Sequence, residues 1–324
     1  MKFRKMTCLI TALAILFTAG CANTSKQPMT YTGIALDTVI SIQIYDSDNE
    51  ELLTQCQALC EDYEERLSRT IETSEIARIN SAGGNPVEVS DDTAALIREG
   101  IRYGELSDGA FDITIGAVTS LWDFKSEDPF VPSPDDIAGA VSHVDYRGIS
   151  ISGNTVTLKD PSAMLDLGAI AKGYIADRLK EYLVKEGVEH ALINLGGNVL
   201  AIGGKPDGSA FNIGIQTPFD ENGEPITAIQ ITDQTVVTSG NYQRFFEKDG
   251  VLYHHILDPH TGYPCGNALN SVSIITDSSL TADALSTTCF LLGPEAGMEL
   301  IDRLDNTEAI FIDTENQITR SKGL

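Results

Sequence analysis

Residues 166–202 read DLGAIAKGYIADRLKEYLVKEGVEHALINLGGNVLAI, and this stretch indicates the fold. Its first part predicts a helix over roughly 169–186 that stops at Gly187. Its second part predicts two short strands, at 190–195 and 198–202, joined by a glycine-containing turn. A helix that leads directly into short paired strands is typical of a domain in which helices and hairpins are interleaved.

The same alternation continues on both sides of this stretch. Upstream, the pattern predicts a strand over 31–45, an amphipathic helix over 49–68 and a helix capped by Ser90. Downstream, it predicts strands at 211–216, 226–231, 235–238 and 271–276, and helices at 279–292 and 295–304. Several hairpins, among them one over 147–158, favour an α+β fold over a parallel doubly wound sheet. We therefore predict one catalytic domain of interleaved helices and mostly antiparallel or mixed sheets, over residues 31–324.

The composition is that of an acidic globular protein. The 324 residues include 22 Lys and Arg against 47 Asp and Glu, for a net charge of −25, and 42% of them are hydrophobic. This apolar content excludes a disordered chain, and the charge argues against a nucleic-acid partner. A polyanionic small ligand would need a local device to hold it, such as a metal ion or backbone amides.

The first 20 residues are predicted to be a secretory signal peptide. A basic start (Lys2, Arg4 and Lys5) precedes an apolar run over 8–17 and then Thr18-Ala19-Gly20-Cys21. This ending resembles a bacterial lipobox, with Thr18 where that pattern usually has Leu. We expect Cys21 to carry acyl chains such as palmitate and to hold the protein on the extracytoplasmic face of the cell membrane, with residues 21–30 as a tether. A plain signal peptide or an N-terminal anchor helix are the alternatives.

Four other cysteines remain after the signal. Cys56 and Cys60 lie on one face of the predicted helix over 49–68, among its apolar residues, so we predict that they are core residues. No His or second Cys pair has zinc-ligand spacing with them, which favours the core over a metal site. Cys265 and Cys289 are the other two. The sequence leaves open whether any of the four forms a disulfide.

Several segments interrupt the regular patterns and are candidates for chemistry. Residues 166–173 place glycines and Lys172 at a helix start, where free amides and the helix dipole suit phosphate. Three of the five histidines fall within 254–260, and they allow either a zinc cluster or one acid–base histidine. Asp283 and Thr287 are four residues apart on one helix face, which suits Mg²⁺ with its preference for oxygen ligands. Taken alone, each segment also fits a purely structural role.

Six motifs in this order resemble those of the FAD:protein FMN transferase family, also called ApbE. They read SDGAFD, DLGAIAKG, NLGG, TSGNY, HHILDPxTG and ADALST, and the resemblance runs from about residue 31 to about residue 315. It implies an ApbE-like fold that binds FAD in a cleft with Mg²⁺ on the pyrophosphate. It further implies transfer of the FMN half to a Thr or Ser hydroxyl of a partner flavoprotein, with release of AMP.

The resemblance also implies roles for individual residues. The Mg²⁺ ligands would be the side chains of Asp283 and Thr287 and the backbone carbonyl of Ala169. His255 matches a histidine with a suspected catalytic role, and Asp283 is a second candidate base. The residues expected to contact the flavin nucleotide are Leu36, Ala110, Phe111, Asp112, Asp166, Lys172 and Leu257. The chain departs from the family at Thr70, where several members carry a Tyr against the flavin ring.

Phosphoryl transfer depends on charge neutralisation and positioning, which a metal and Lys172 would supply on this acidic chain. If His255 is the base, we expect the rate to rise with pH through the ordinary histidine range. Two alternatives remain open: an Mg²⁺-dependent FAD pyrophosphatase that uses water as acceptor, and a flavin-binding lipoprotein without activity. The presence of the candidate metal ligands Asp283 and Thr287 weighs against a flavin-binding lipoprotein without activity.

The lipid anchor leads to a direct test at Cys21. Each buried CH₂ contributes roughly 0.8 kcal/mol of membrane affinity, so two or more acyl chains hold a protein firmly. Cys21→Ala should therefore release the protein from the membrane fraction or block its processing, as measured by fractionation and immunoblotting. A variant that stays in the membrane with its signal removed would contradict lipidation at this residue.

Overall fold

The computed structural model describes residues 27–220 and 224–324. The predicted signal peptide and Cys21 lie outside the described residues. The first strand begins at Met29, two residues inside the segment predicted as tether. Within the described ranges, no helix combines the length and the apolar character needed to cross a bilayer.

The described residues form fifteen strands and eight α-helices. The strands are β1 Met29–Ala35, β2 Thr38–Ile44, β3 Val87–Glu88, β4 Ile149–Ser152, β5 Thr155–Leu158, β6 Ala191–Leu195, β7 Asn198–Ile202, β8 Phe211–Gln216, β9 Pro225–Ile231, β10 Thr235–Gly240, β11 Phe245–Lys248, β12 Val251–His254, β13 Leu269–Thr276, β14 Glu308–Asp313 and β15 Ile318–Arg320. The helices are α1 Glu51–Leu67, α2 Glu75–Ser81, α3 Asp91–Leu106, α4 Gly116–Thr119, α5 Pro134–Val141, α6 Ala171–Lys185, α7 Ser279–Leu292 and α8 Pro294–Ile301.

One eight-stranded sheet organises the fold, in the order β1-β2-β6-β7-β10-β13-β14-β15. Every neighbouring pair in it is antiparallel. Three of these pairs, β1–β2, β6–β7 and β14–β15, are hairpins, and longer connections with helices or further strands join the other neighbours. The α+β prediction is confirmed, and the central sheet is purely antiparallel.

The strand predicted over 31–45 is in fact a hairpin. β1 and β2 pair in register from Met29–Ile44 to Ala35–Thr38, and the chain reverses at Leu36 and Asp37. Both turn residues have left-handed backbone angles, with φ of 55° and 61°. This geometry matches a tight hairpin turn, for which Asn and Gly are the usual signals. The prediction missed the turn because neither residue type is present there.

The sheet separates two cores. Helices α6 and α7 pack against one face, and α7 contacts both β10 and β13. Strand β13 is buried along its whole length because both of its faces are covered. The β8–β9 hairpin covers the other face through Phe211, Ile215 and Ile231. Cys56 and Cys60 are fully buried in the larger core, as predicted, and none of the four described cysteines forms a disulfide.

Helices α6 and α7 approach each other unusually closely. A Cβ atom placed on Gly173 would lie 2.2 Å from the carbonyl oxygen of Ser279. The carboxylate of Asp177 on α6 also caps the start of α7: it accepts hydrogen bonds from Ser279 N at 2.8 Å and Leu280 N at 3.0 Å. These contacts fix the position of the first turns of α7 relative to α6.

Gly173 provides a test of this close contact. Gly173→Ala should lower the free energy of unfolding by about 2–3 kcal/mol, because the added methyl group forces the two helices apart. The control is Gly139→Ala in α5, where the new Cβ would have no neighbour within 4 Å. This control should be neutral or stabilising by up to about 1 kcal/mol, as expected for a helical Gly→Ala change. Equal urea-unfolding midpoints for the two variants would contradict the account.

Candidate active site

An open cleft of about 1400 Å³ is lined by the β1–β2 turn, the start of α6 and one face of α7. Ten of the residues predicted from the sequence line it: Leu36, Phe111, Asp112, Asp166, Ala169, Lys172, His255, Leu257, Asp283 and Thr287. Ala110 does not line the cleft; it precedes Phe111 and is half-buried. Segments that are far apart in the sequence therefore meet at one site.

Asp283 lies at the base of this cleft. It is 3% exposed, and its Oδ2 accepts a hydrogen bond of 2.8 Å from the backbone amide of Gly173. The other carboxylate oxygen, Oδ1, lies 3.9 Å from Lys172 Nζ. One oxygen is therefore fixed by the backbone, while the other faces a single distant cation. A buried carboxylate of this kind is costly without a further positive partner.

The carbonyl of Ala169 also lies at this junction. Within α6 the backbone ladder begins with the bond from the Tyr174 amide to the Ile170 carbonyl, at 3.2 Å, so the Ala169 carbonyl, one residue earlier, stays outside it. The helix begins only at Ala171, and Ile170 has a non-helical φ of −145°. A carbonyl oxygen and a carboxylate are thus brought to the same helix junction.

Thr287 lies one turn beyond Asp283 on α7, and its hydroxyl belongs to a small network. Ser239 Oγ lies 3.0 Å from Thr287 Oγ1 and 2.7 Å from Ser286 Oγ. Ser286 Oγ in turn donates to the carbonyl of Asp283 at 2.9 Å. Ser239 therefore orients the Thr287 hydroxyl. It belongs to the TSGNY motif, in which no local pattern singles it out.

This oxygen set fits Mg²⁺. The carboxylate of Asp283, the free carbonyl of Ala169 and the hydroxyl of Thr287 are hard ligands, and Mg²⁺ characteristically uses few protein ligands together with substrate phosphates. Within the described ranges, no group of three His, Cys, Asp or Glu side chains could hold a metal. The zinc cluster considered for the histidines is therefore absent from the described part of the chain.

Asp166 anchors a second side of the cleft. Its Oδ2 lies 3.0 Å from Arg69 Nε and accepts a hydrogen bond from Thr119 Oγ1 at 2.8 Å. Its Oδ1 accepts from the amide of Gly168 at 2.9 Å. Asp166 thereby fixes the glycine loop ahead of α6 and holds Arg69 at the cleft wall.

Asp112 has an internal role. Its Oδ1 accepts from the amide and the hydroxyl of Thr114, at 2.7 and 2.6 Å, and its Oδ2 accepts from the amide of Tyr146 at 2.9 Å. Burial raises the pKa of this carboxyl, and the three hydrogen bonds oppose that effect. These bonds shape the loop that places Phe111 in the cleft wall.

His255 faces the cleft, whereas its neighbour His254 is part of the core. His254 is 5% exposed, and its Nε2 lies 3.2 Å from the carbonyl of Cys265. The Nδ1 of His255 lies 3.3 Å from the carbonyl of Arg244. Removal from water, helped by the charges of Arg244 and Lys172, lowers the pKa of His255 to about 3.

This lowered pKa changes the expected pH dependence. At neutral pH the ring of His255 is uncharged, so it can accept a proton without first losing one. In the free protein its titration falls near pH 3, not in the ordinary histidine range. For kcat/KM, which reports the free protein, the lowered pKa moves the rising limb expected of His255 below the ordinary histidine range.

Sequence reasoning missed three further cations that line the cleft beside Lys172. They are Arg69, Lys125 and Arg244. Lys125 and Arg244 both pair with Asp37 in the β1–β2 turn, and Arg244 Nη2 lies 3.2 Å from Asp37 Oδ2. No local pattern marks these residues, because each meets its partner from a distant part of the chain.

Thr70 lies in the cleft wall as an exposed side chain, and its hydroxyl is 3.1 Å from Ser68 Oγ. It offers no ring for stacking. The aromatic side chains that line the cleft are Tyr63, Phe111, Trp122, Phe124 and Tyr242. Any stacking of a planar ligand in this cleft would therefore use one of these rings.

Known proteins share this architecture. A family model described as the ApbE family matches residues 36–311. An FAD:protein FMN transferase of Treponema pallidum is 35% identical over 311 residues, covering 90% of this chain and 86% of that protein. A Klebsiella pneumoniae protein of the same name is 37% identical over 294 residues, covering 90% and 91%.

Two solved structures are similar as a whole. The ApbE protein of Thermotoga maritima has a TM-score of 0.85 at 32% identity, over 92% of this chain and 98% of that one. The flavin transferase ApbE of Vibrio cholerae has a TM-score of 0.82 at 28% identity, over 91% and 97%. The similarity therefore covers the cleft and the elements that build it.

The buried neutral His254 predicts a loss of stability in mild acid. Burial lowers the pKa of His254 to about 4, from an ordinary value near 6.5. As the pH falls below 6.5, His254 binds a proton in the unfolded chain but stays neutral in the folded chain, so the free energy of unfolding decreases. In His254→Gln the decrease in the free energy of unfolding between pH 6.5 and 4.5 should be smaller by about 2 kcal/mol. Urea unfolding at several pH values tests this, and equal losses in parent and variant would contradict it.

Proposed function

The chain belongs to the ApbE family, and we propose on this premise that it transfers the FMN half of FAD to a protein. It is an FAD:protein FMN transferase, like the relatives that match it over about nine-tenths of its length. We further propose that the reaction needs Mg²⁺, that the acceptor is a Thr or Ser hydroxyl of a partner flavoprotein, and that AMP is released.

The observation that carries the Mg²⁺ proposal is the junction of α6 and α7. There a buried carboxylate keeps one oxygen free of strong partners, since Lys172 Nζ is 3.9 Å from Asp283 Oδ1. The Ala169 carbonyl, which precedes the N-cap of α6, has no place in the helix ladder and is available at the same junction. Ser239 orients the Thr287 hydroxyl one turn further along. Ala169, Asp283 and Thr287 would hold the ion, which when bound supplies charge neutralisation on the pyrophosphate.

The cations of the cleft assist the same step. Lys172 lies in the first turn of α6, near the carbonyl of Gly168 at 3.4 Å, where an anionic ligand would offset its unfavourable position at the positive end of the helix dipole. Arg69 and Arg244 are held at the cleft walls by Asp166 and Asp37. They would stabilise the negative charge that develops on the leaving AMP.

The acceptor hydroxyl needs a group that takes its proton, and His255 is the favoured candidate. The contact of its Nδ1 with the Arg244 carbonyl, at 3.3 Å, leaves Nε2 as the nitrogen able to accept a proton. The phosphates of bound FAD would offset the charges of Arg244 and Lys172, which lower the pKa of this ring in the free protein. Asp283 is the alternative base.

We also propose that the protein works on the extracytoplasmic face of the membrane, held there by lipid on Cys21. The support is the sequence alone: a basic start, an apolar run and Thr18-Ala19-Gly20-Cys21. Such an anchor would place the cleft near acceptor proteins at the same membrane surface.

The transfer is tested by incubating the protein with FAD, Mg²⁺ and a purified bacterial flavoprotein domain that carries an exposed Thr. Flavin fluorescence on the acceptor after denaturing electrophoresis supports transfer. Free FMN and AMP, with no labelled protein, would instead identify an FAD pyrophosphatase. The same domain with its target Thr changed to Ala controls for adsorbed flavin.

The metal proposal predicts a severe effect at Asp283. Asp283→Asn keeps the size of the side chain but removes the ligand charge, and Thr287→Val removes the hydroxyl. FAD cleavage should fall below detection in Asp283→Asn and by at least about tenfold in Thr287→Val, following the loss of the metal contribution. Release of AMP, followed by chromatography across a Mg²⁺ series, measures this. Near-normal turnover by Asp283→Asn would rule out the site.

The role of His255 is tested by separating binding from rate. His255→Ala should lower the transfer rate by about 10²–10⁴-fold, the usual contribution of general acid–base catalysis, while FAD still binds. In the parent, kcat/KM should show no rising limb due to His255 between pH 6 and 8, because the pKa of its ring is about 3.

The matched control for this test is His260→Ala. His260 is exposed and does not line the cleft, whereas the buried His254 would make a poor control. Equal rates for His255→Ala and His260→Ala, or a loss of FAD affinity that accounts for the whole loss of rate, would leave Asp283 as the base.

A further inference from the structure

The outer edge of the central sheet is open at β1. In the described ranges, β1 pairs with β2 alone and stands at the end of the strand order. Thr30 and Thr32 are exposed, and Ile34 is 84% exposed. A seven-residue strand thus presents an edge that no described element covers.

The register shows which backbone groups point outward. Ile34 is paired with Val39, and the carbonyl of Val39 accepts a hydrogen bond from the amide of Gly196, on the opposite side of β2. In an antiparallel pair, bonded and non-bonded residue pairs alternate. Ile34, and therefore also Thr32 and Thr30, turn their amides and carbonyls away from β2 toward the open edge.

This edge lacks the usual protection against strand pairing. Natural sheets protect their edges with charged residues, proline, bulges or very short strands. The sequence of β1 is MTYTGIA, without a charge or a proline, in a chain with a net charge of −25. At the other end of the sheet, β15 is only three residues long and contains Arg320. Only the β15 edge of the sheet therefore has features that discourage pairing with a further strand.

The open edge leads into the cleft. Ile34, Ala35 and Leu36, at the end of β1 and in its turn, all line the cleft. An extended segment lying along β1 would therefore bring one of its residues to the cleft mouth. Addition of a strand to an exposed sheet edge is a known mode of peptide recognition, with affinity from backbone hydrogen bonds.

We propose that the acceptor protein docks by adding an extended segment to the open edge of β1. This inference rests on the proposed function, since that function requires a protein substrate at the cleft. Backbone pairing fixes the segment, and the residue carrying the target hydroxyl extends past the end of β1 into the cleft. Recognition of this kind depends on an extended, unpaired backbone in the acceptor more than on particular side chains.

The test removes one outward amide and leaves the cleft unchanged. Thr32→Pro deletes the N–H at an edge position where proline is tolerated, and Thr32→Val is the matched control that keeps it. Thr32 does not line the cleft. With the acceptor domain used in the transfer assay, Thr32→Pro should lower kcat/KM for the acceptor about three- to tenfold, the equivalent of one lost hydrogen bond. FAD binding, measured by flavin fluorescence, should be unchanged in both variants.

The other outcomes are distinct. An unchanged kcat/KM in Thr32→Pro would overturn the docking proposal while transfer itself stands. Analytical ultracentrifugation distinguishes a further outcome. If the parent is a dimer and Thr32→Pro is a monomer, the edge pairs with a second copy of the chain, and docking of the acceptor there is overturned. A parent that cleaves FAD but labels no acceptor would overturn the proposed function and this inference with it.

Discussion

The hydrogen bond from the Gly173 amide to Asp283 is the contact on which the site depends. It can form only because Gly173 has no side chain: any Cβ would lie 2.2 Å from the carbonyl oxygen of Ser279. The bond holds the carboxylate in place at the start of α6, next to the Ala169 carbonyl in the sequence segment before the helix, and joins α6 to α7. Asp177, which caps α7 from α6, secures the same junction. A packing constraint between two helices thus positions the Asp283 carboxylate that we propose as a metal ligand.

Electrostatics set the second constraint. The chain carries a net charge of −25, yet four cations line its cleft. Three of them, Arg69, Lys125 and Arg244, pair with Asp166 or Asp37, and Lys172 lies 3.9 Å from Asp283. A dinucleotide with phosphate groups can exchange partners with these pairs, because it brings negative charge to cations that are already positioned. Preorganised charges of this kind need little rearrangement during the reaction.

Much of the fold was predictable from local patterns. Helix α7 and strands β7 and β8 have the predicted bounds, since periodicity and caps act within a few residues. The β1–β2 turn was missed because Leu36 and Asp37 adopt left-handed angles without the usual turn residues. The short helix α2 was also missed, although Ser74 caps it.

The candidate site was predictable only where motifs carried it. The motif residues gather in one cleft, but Arg69 and Arg244 reach it through partners in distant segments, Asp166 and Asp37. No local signal could reveal such pairs. The low pKa of His255 likewise depends on burial and on charges brought near by the fold. Long-range packing and electrostatics therefore account for the features of the site that local sequence patterns did not predict.

A crystal structure of this protein with FAD and Mg²⁺ would test the central claim most directly. We expect an ion in the cleft that is held by the Asp283 carboxylate, the Ala169 carbonyl and the Thr287 hydroxyl, together with the phosphates of FAD. The hydrogen bond from Gly173 to Asp283 should be retained. An ion bound elsewhere in the cleft, with Asp283 paired only to Lys172, would contradict the account.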